Sequence, residues 1–219
     1  RPMSSEPLIL DLGVGNLGNV SRALTAAGAR PIVSADPGAV RAARRIVLPG
    51  VGAFRPPRER LRGELEAALR AALAGGAHLL GICVGYQLLF EGSDEFGATG
   101  GLALLAGRIT ELPATVSLPH IGWNRLEAHS PHPLLDGLES DAYVYFVHSF
   151  APDADAGDGA PGKPDTETVA TALHGRRFAA VSARDRICGT QFHPEKSGEA
   201  GLRVLRNFLA LSGGDGACN

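Results

Sequence analysis

Two short runs hold the residues best suited to covalent chemistry. Gly81-Ile82-Cys83-Val84-Gly85 places a cysteine between two glycines, where an apolar run from His78 to Ile82 meets a segment, Val84 to Phe90, able to start a helix. A thiol on such a strand-to-helix turn is the counterpart of a nucleophile elbow, its side chain pushed outward by a bend that the glycines permit. Unpaired N–H groups at the start of the next helix would favour a thiolate there. The second run, His193-Pro194-Glu195, closes the last strand-like segment. In an extended chain side chains alternate, so His193 and Glu195 are expected to point the same way while Phe192 turns into the core. An imidazole oriented by a carboxylate is the base a cysteine nucleophile needs. Taken singly, the cysteine reads more readily as a small buried hydrophobe and the histidine as a surface or capped residue. The pairing of the two weakens both plain readings.

The elements that must position these residues follow from periodicity. Leu8 to Leu12, Pro31 to Val33, Arg45 to Leu48 and His78 to Ile82 read as strands. Between them lie helical patterns, one ending near Ala27 and one from Glu59 to Ala74 with Leu61, Leu65, Ala68, Leu69 and Leu73 on one face. Strands alternating with helices predict βαβ units, hence an α/β fold with a mostly parallel central sheet and helices on both faces. Ligands bind such sheets beyond the carboxyl ends of the strands, where Gly13, Pro49 and Cys83 all fall. Beyond Gly101 the pattern turns strand-rich: Gly107 to Leu112, Tyr143 to Phe150, Thr168 to Leu173, Phe178 to Ala183 and Ile187 to Phe192. Ala151 to Asp165 reads as a mobile loop, Leu202, Leu205, Phe208 and Leu209 mark a last amphipathic helix, and Ser212 to Asn219 as a frayed tail.

Composition narrows the function classes. With 219 residues, 44% hydrophobic and 20% charged, the chain is sized for one folded domain. A net charge of -2 offers no basic footprint for nucleic acid, and no apolar run is long enough for a membrane span. Three cysteines without C-x-x-C spacing argue against a disulfide framework, and with no signal segment after Met3 they predict a cytoplasmic protein. His78, His120, His129, His132, His148 and His174 show no metal-ligand spacing, so no metal is assigned, and His129 and His132 read as solvated turn residues. One rival stands: Gly13-x-Gly15-x-x-Gly18 follows a strand and precedes a helix, with Asp36 where a ribose-binding acid would fall. The motif fits a dinucleotide module and a plain tight connection equally.

Together these runs resemble the class I (triad) glutamine amidotransferases, and within them the branch that forms the glutaminase subunit of imidazole glycerol phosphate synthases. Asp11 to Asn16, Pro49 to Gly52, Gly81 to Phe90, Pro119 to Asn124, Tyr145 to Phe150 and Gln191 to Ser197 carry the resemblance. It spans nearly the whole chain; Val84, where leucine is commoner, and a long Ala151 to Asp165 segment are small departures. The resemblance implies a flavodoxin-like three-layer fold with an antiparallel extension, over residues 7–212 with tails at 1–6 and 213–219. It also implies that the Gly13 to Gly18 segment binds no nicotinamide and that no cofactor is needed.

The roles implied by the resemblance are specific. Cys83, His193 and Glu195 form a catalytic triad that hydrolyses glutamine through a glutamyl thioester. Val51 and Val84 supply oxyanion N–H donors, and Gly50, Gly52, Gln87 and Glu95 hold the substrate. Asn16, Trp123 and Lys196 lie at the interface with a partner chain, a (βα)8-barrel cyclase subunit that receives the ammonia in a heterodimer. Lys196 is one of only two lysines, Lys163 being the other, among 21 basic residues. A glutaminase subunit of another ammonia-using synthase, a dinucleotide module and a catalytically silent interaction subunit are the alternatives.

Overall fold

The computed structural model describes residues 6–155 and 166–212. The expected tails, apart from Glu6 and Ser212, and most of the expected 151–165 loop fall outside this range. The first half of the chain runs β1 (Leu8–Leu10), α1 (Leu17–Ala26), β2 (Ile32–Ser34), α2 (Pro37–Ala42), β3 (Arg45–Gly50), α3 (Arg55–Leu61), α4 (Glu64–Ala74), β4 (His78–Cys83) and the single-turn α5 (Val84–Gln87). Short strands β5 (Gly92–Ser93), β6 (Thr99–Gly100) and β7 (Arg108–Glu111) follow, then β8 (His120–Arg125) and β9 (Glu127–Ala128). The chain continues through β10 (Tyr143–His148), β11 (Phe150–Pro152), β12 (Glu167–His174), β13 (Arg176–Arg184), β14 (Ile187–Thr190) and α6 (Gly198–Ala210).

The main sheet has the order β2-β1-β3-β4-β14-β13-β12-β9, parallel from β2 to β14 and antiparallel beyond. The βαβ reading of the first half is borne out. Because both faces of this sheet are covered, its strands are apolar at nearly every position rather than alternately. Leu8, Leu10, Ile46, Leu48 and Leu79 pack on one side with Val40, Leu61 and Leu69 from α2, α3 and α4. Ile9, Val47, Leu80 and Ile82 pack on the other with Val20 and Leu24 of α1 and Val204, Leu205 and Phe208 of α6. The expected helix from Glu59 to Ala74 is two helices. Gly63, at φ +80° before α4, breaks it, and periodicity could not see the break because Leu61 and Leu69 still reach the same core.

The strand-rich half departs further from expectation. Tyr143 to Phe150 is not one strand: β10 pairs with β8, and β11 pairs with β7 in a separate small sheet. The Pro119 to Asn124 run is itself mostly strand, lying antiparallel to β10 with Trp123 opposite Tyr145. Ala151 and Pro152, expected in a loop, are buried strand residues. His129 is exposed as expected, although it bonds Thr171, while His132 is only half-buried and caps a short 3-10 turn.

Candidate active site

The sheet brings the two chemical runs together by making β4 and β14 neighbours, with Ile82 opposite Thr190. Each run leaves the carboxyl end of its strand at the same edge. At the elbow, Cys83 adopts φ +54° and ψ -111°, so the strained residue is the cysteine and not either glycine. The glycines serve a different need. A Cβ at Gly81 would lie 2.7 Å from Tyr86 Cα, and one at Gly85 would collide with the Leu48 carbonyl. They let the turn of α5 sit directly on β3 and β4, with the fully buried Tyr86 bonded to Ser182 Oγ at 2.6 Å. Gly85→Ala should therefore cost roughly 3 kcal/mol, the upper part of the range for overpacking. A denaturation midpoint equal to that of the unsubstituted chain would show that the elbow can yield.

His193 is 1% exposed, and its Nδ1 lies 2.7 Å from Glu195 Oε1. The expected alternation along a strand is not how they meet. The strand ends at Thr190, before His193, and Pro194–Lys196 form a 3-10 turn, which folds Glu195 back under the ring. The turn is clamped: His193 N–H donates to the Tyr145 carbonyl, while Ser197 Oγ donates to the His193 carbonyl and accepts from Tyr145 N–H. Burial alone would lower the pKa of His193. The Cys83 sulfur and the Glu195 carboxylate outweigh it and raise the ring well above its ordinary value. With Nδ1 held by Glu195, the buried Nε2 is the nitrogen left on the Cys83 side of the ring. Of the other cysteines, Cys188 is buried and its thiol is pushed up to about 12 by desolvation, while Cys218 lies outside the described residues.

A cleft of about 240 Å³ opens over these groups. It is lined by Val51, Gly52, Cys83, Val84, Gln87, Glu95 and His193, with Lys196 at its edge, so eight of the expected site residues share one hollow. It is smaller than the ~300 to 1,000 Å³ of drug-sized sites, in keeping with a ligand the size of an amino acid. Gly50 stands behind it, paired with Cys83 and too close to Gly85 N for any Cβ. Gln87 is 3% exposed and its amide nitrogen is already engaged, donating to the Phe150 carbonyl at 2.9 Å and to Gln191 Oε1 at 3.1 Å. Glu95 accepts from Phe54 N–H at 2.7 Å, tying the loop after β5 to the segment that follows Gly52. Val147, His148, Ser149 and Phe150 also line the cleft. Sequence reasoning gave them no role, because they belong to no chemical motif and reach the site only through the break between β10 and β11.

Asn16 and Trp123 lie away from the cleft. Asn16 is exposed and caps α1, its Oδ1 accepting from Asn19 N–H. Trp123 is 55% exposed and meets Tyr145 edge-on at 6.1 Å, and Lys196 Nζ lies 5.5 Å from the centre of the same tyrosine ring. The Arg60 guanidinium lies over Gly13 and donates to the Leu12 carbonyl, while Asp36 caps α2 through Ala39 N–H. Among the described residues no group of three or more His, Cys, Asp or Glu could hold a metal, and no helix is long and apolar enough to cross a membrane.

A thiol on a strained elbow, beside a buried imidazole held by a carboxylate, is equipped for acyl transfer through a thioester. Comparison with known proteins places this arrangement. Residues 8–211 match the model of the class-I glutamine amidotransferase family. The imidazole glycerol phosphate synthase subunit HisH of Salinibacter ruber is 42% identical over 211 residues, which cover 93% of each chain. The subunit of the same name from Symbiobacterium thermophilum is 45% identical over 202 residues, covering 92% of each. Among solved structures, PurLQS from Thermotoga maritima superposes with a TM-score of 0.72 at 19% identity, covering 94% of this chain and 98% of that one. A crystal structure of a glutamine amidotransferase gives 0.70 at 17%, covering 93% and 99%. The structural matches establish the fold and the sequence matches the lineage: the chain belongs to the class-I glutamine amidotransferase family.

Proposed function

We propose that the chain is the glutaminase subunit of an imidazole glycerol phosphate synthase, acting in histidine biosynthesis. The observation that carries this is the meeting of Cys83 with the buried His193–Glu195 pair in one amino-acid-sized cleft. Cys83 Sγ attacks the side-chain amide carbon of glutamine. As the C–N bond breaks, His193 gives its proton to the departing ammonia, leaving a glutamyl thioester on Cys83. His193 then takes a proton from water, which attacks the thioester and releases glutamate. Glu195 orients the imidazole and stabilises its charged form. The Val51 and Val84 N–H groups receive the charge that develops on the amide oxygen, and Gly50, Gly52, Gln87 and Glu95 shape the substrate's seat.

Ammonia freed into water would be protonated and lost, so a synthase must take it up directly. The partner in this reading is a (βα)8-barrel cyclase chain, docked as a heterodimer over the edge that carries Asn16, Trp123 and Lys196. Trp123 and Lys196 flank Tyr145 there, and α1 packs beside the turn that bears His193. A diazo-ketone analogue of glutamine tests the reading. It should label Cys83 and spare Cys188, whose buried thiol stays protonated, and the chain with its barrel should release glutamate from glutamine. An adduct on Cys188, or no glutamate released, would defeat it.

A further inference from the structure

The buried side of the β8–β10 ribbon carries a row of hydrogen bonds whose protons can be assigned by elimination. Asn124 Oδ1 accepts from Arg125 N–H, which fixes the orientation of the amide. Its Nδ2 can only donate, and it reaches the Leu173 carbonyl at 2.9 Å and His120 Nε2 at 3.2 Å. His120 Nε2 is therefore an acceptor, and the proton of the neutral ring sits on Nδ1, 3.1 Å from His148 Nε2. That nitrogen accepts in turn, so His148 carries its proton on Nδ1, 2.9 Å from the Phe150 carbonyl. A carbonyl can only accept. The amide at one end and the carbonyl at the other thus demand the same pair of tautomers.

The surroundings keep the row in this state. His120 is stacked between His174, at 4.1 Å and 14°, and Phe146, at 5.0 Å and 22°. Burial, with the neighbouring imidazoles, lowers His120 to about 4 and His148 to about 3, so both rings are neutral near pH 7. The far end of the row reaches the cleft. His148 and Phe150 line it, and the Phe150 carbonyl also accepts from Gln87, which bonds Gln191, whose Nε2 lies 3.8 Å from Cys83 Sγ.

We infer that His120, which does not line the cleft, is a positioning residue for it: by donating to His148 Nε2 it braces the ring whose Nδ1–H holds the Phe150 carbonyl, and so sets the wall from Val147 to Phe150 against which substrate binds. The inference rests on the glutaminase reading for its activity readout. Without the donor at position 120, His148 Nε2 loses its partner and the ring is no longer braced against the Phe150 carbonyl. His120→Leu keeps similar bulk and removes the donor, whereas His120→Asn keeps an N–H near the place of Nδ1.

The test uses the full chain with its barrel partner. His120→Leu should raise KM for glutamine about tenfold, the size of one lost hydrogen bond, with kcat changed by less than about threefold. His120→Asn should stay within about threefold of the unsubstituted enzyme on both parameters. Equal behaviour of the two variants, whether both intact or both impaired, would overturn the inference. Should the leucine variant not fold, ¹⁵N NMR of the imidazoles in the unsubstituted chain decides: His120 and His148 should both carry their proton on Nδ1 at pH 7. A proton on Nε2 of either ring, or a charged ring at that pH, would overturn it. Absence of glutamate release by the unsubstituted complex is a different failure, that of the glutaminase reading, and the ring spectrum still decides the relay.

Discussion

Cys83→Ala is expected to abolish glutamine-dependent synthesis in the proposed heterodimer while leaving synthesis from added ammonium salts intact. The loss should be large, roughly 10⁴ to 10⁶ in kcat, because a nucleophile and its base act as a unit and removing either forfeits nearly all the covalent route. The substitution itself is small. Cys83 is 3% exposed and its sulfur approaches the Val147 carbonyl and Gln191 Nε2 only at 4.0 and 3.8 Å, so alanine removes little packing. Partner binding should be unchanged, since Asn16, Trp123 and Lys196 lie outside the elbow. In the same assay His193→Ala should match the cysteine variant, and Glu195→Gln should retain measurable turnover, because an amide still holds the ring in place. Glutamate release by Cys83→Ala at more than a few per cent of the original rate would remove the thiol from the mechanism. Loss of ammonium-dependent synthesis as well would place the defect in assembly instead.

Supplying the barrel together with the substrate that accepts the ammonia is expected to raise glutaminase turnover by roughly 10² to 10³ over the isolated chain, the worth of one oxyanion donor. The backbone beside Cys83 suits such a change. Gly50 is fixed, being the last paired position of β3 and packed against Val84 and Gly85. Gly52, by contrast, sits at φ +81° with nothing within 4 Å of where a Cβ would lie. Val51 between them, just past the end of β3, is 39% exposed, whereas positions 46 to 50 are buried. The segment is thus anchored on one side and free on the other, so a peptide can turn there without disturbing the sheet. Glu95, bonded to Phe54 N–H, limits how far the change spreads. Stopped-assay rates of glutamate release, with and without liganded barrel, decide the matter; equal rates would refute coupling through this segment and leave the Cys83 chemistry standing.

The sequence alone determined the parallel half of the fold and the residues that meet at the candidate site. Strand and helix periods differ, and apolar runs such as Ile46 to Leu48 need no neighbours to be recognised, so β1 to β4 and the family were legible from local pattern. Cys83, His193 and Glu195 were legible for the same reason, being rare residue types in short fixed spacings. What the tertiary structure decided is everything that depends on backbone departing from a regular period. Gly63 divides a helix whose apolar face continues across the break, and the interruption after His148 sends β10 and β11 to different sheets while their residues still alternate. The 3-10 turn, not strand alternation, puts Glu195 under His193. Gly81 and Gly85 are required by the approach of α5 to the sheet, which no spacing reveals. The orientation of His120 and His148 depends on partners 2 to 28 residues away in sequence, Asn124, Phe150 and each other, because a proton's place on an imidazole is set by whichever donor or acceptor the fold brings to it.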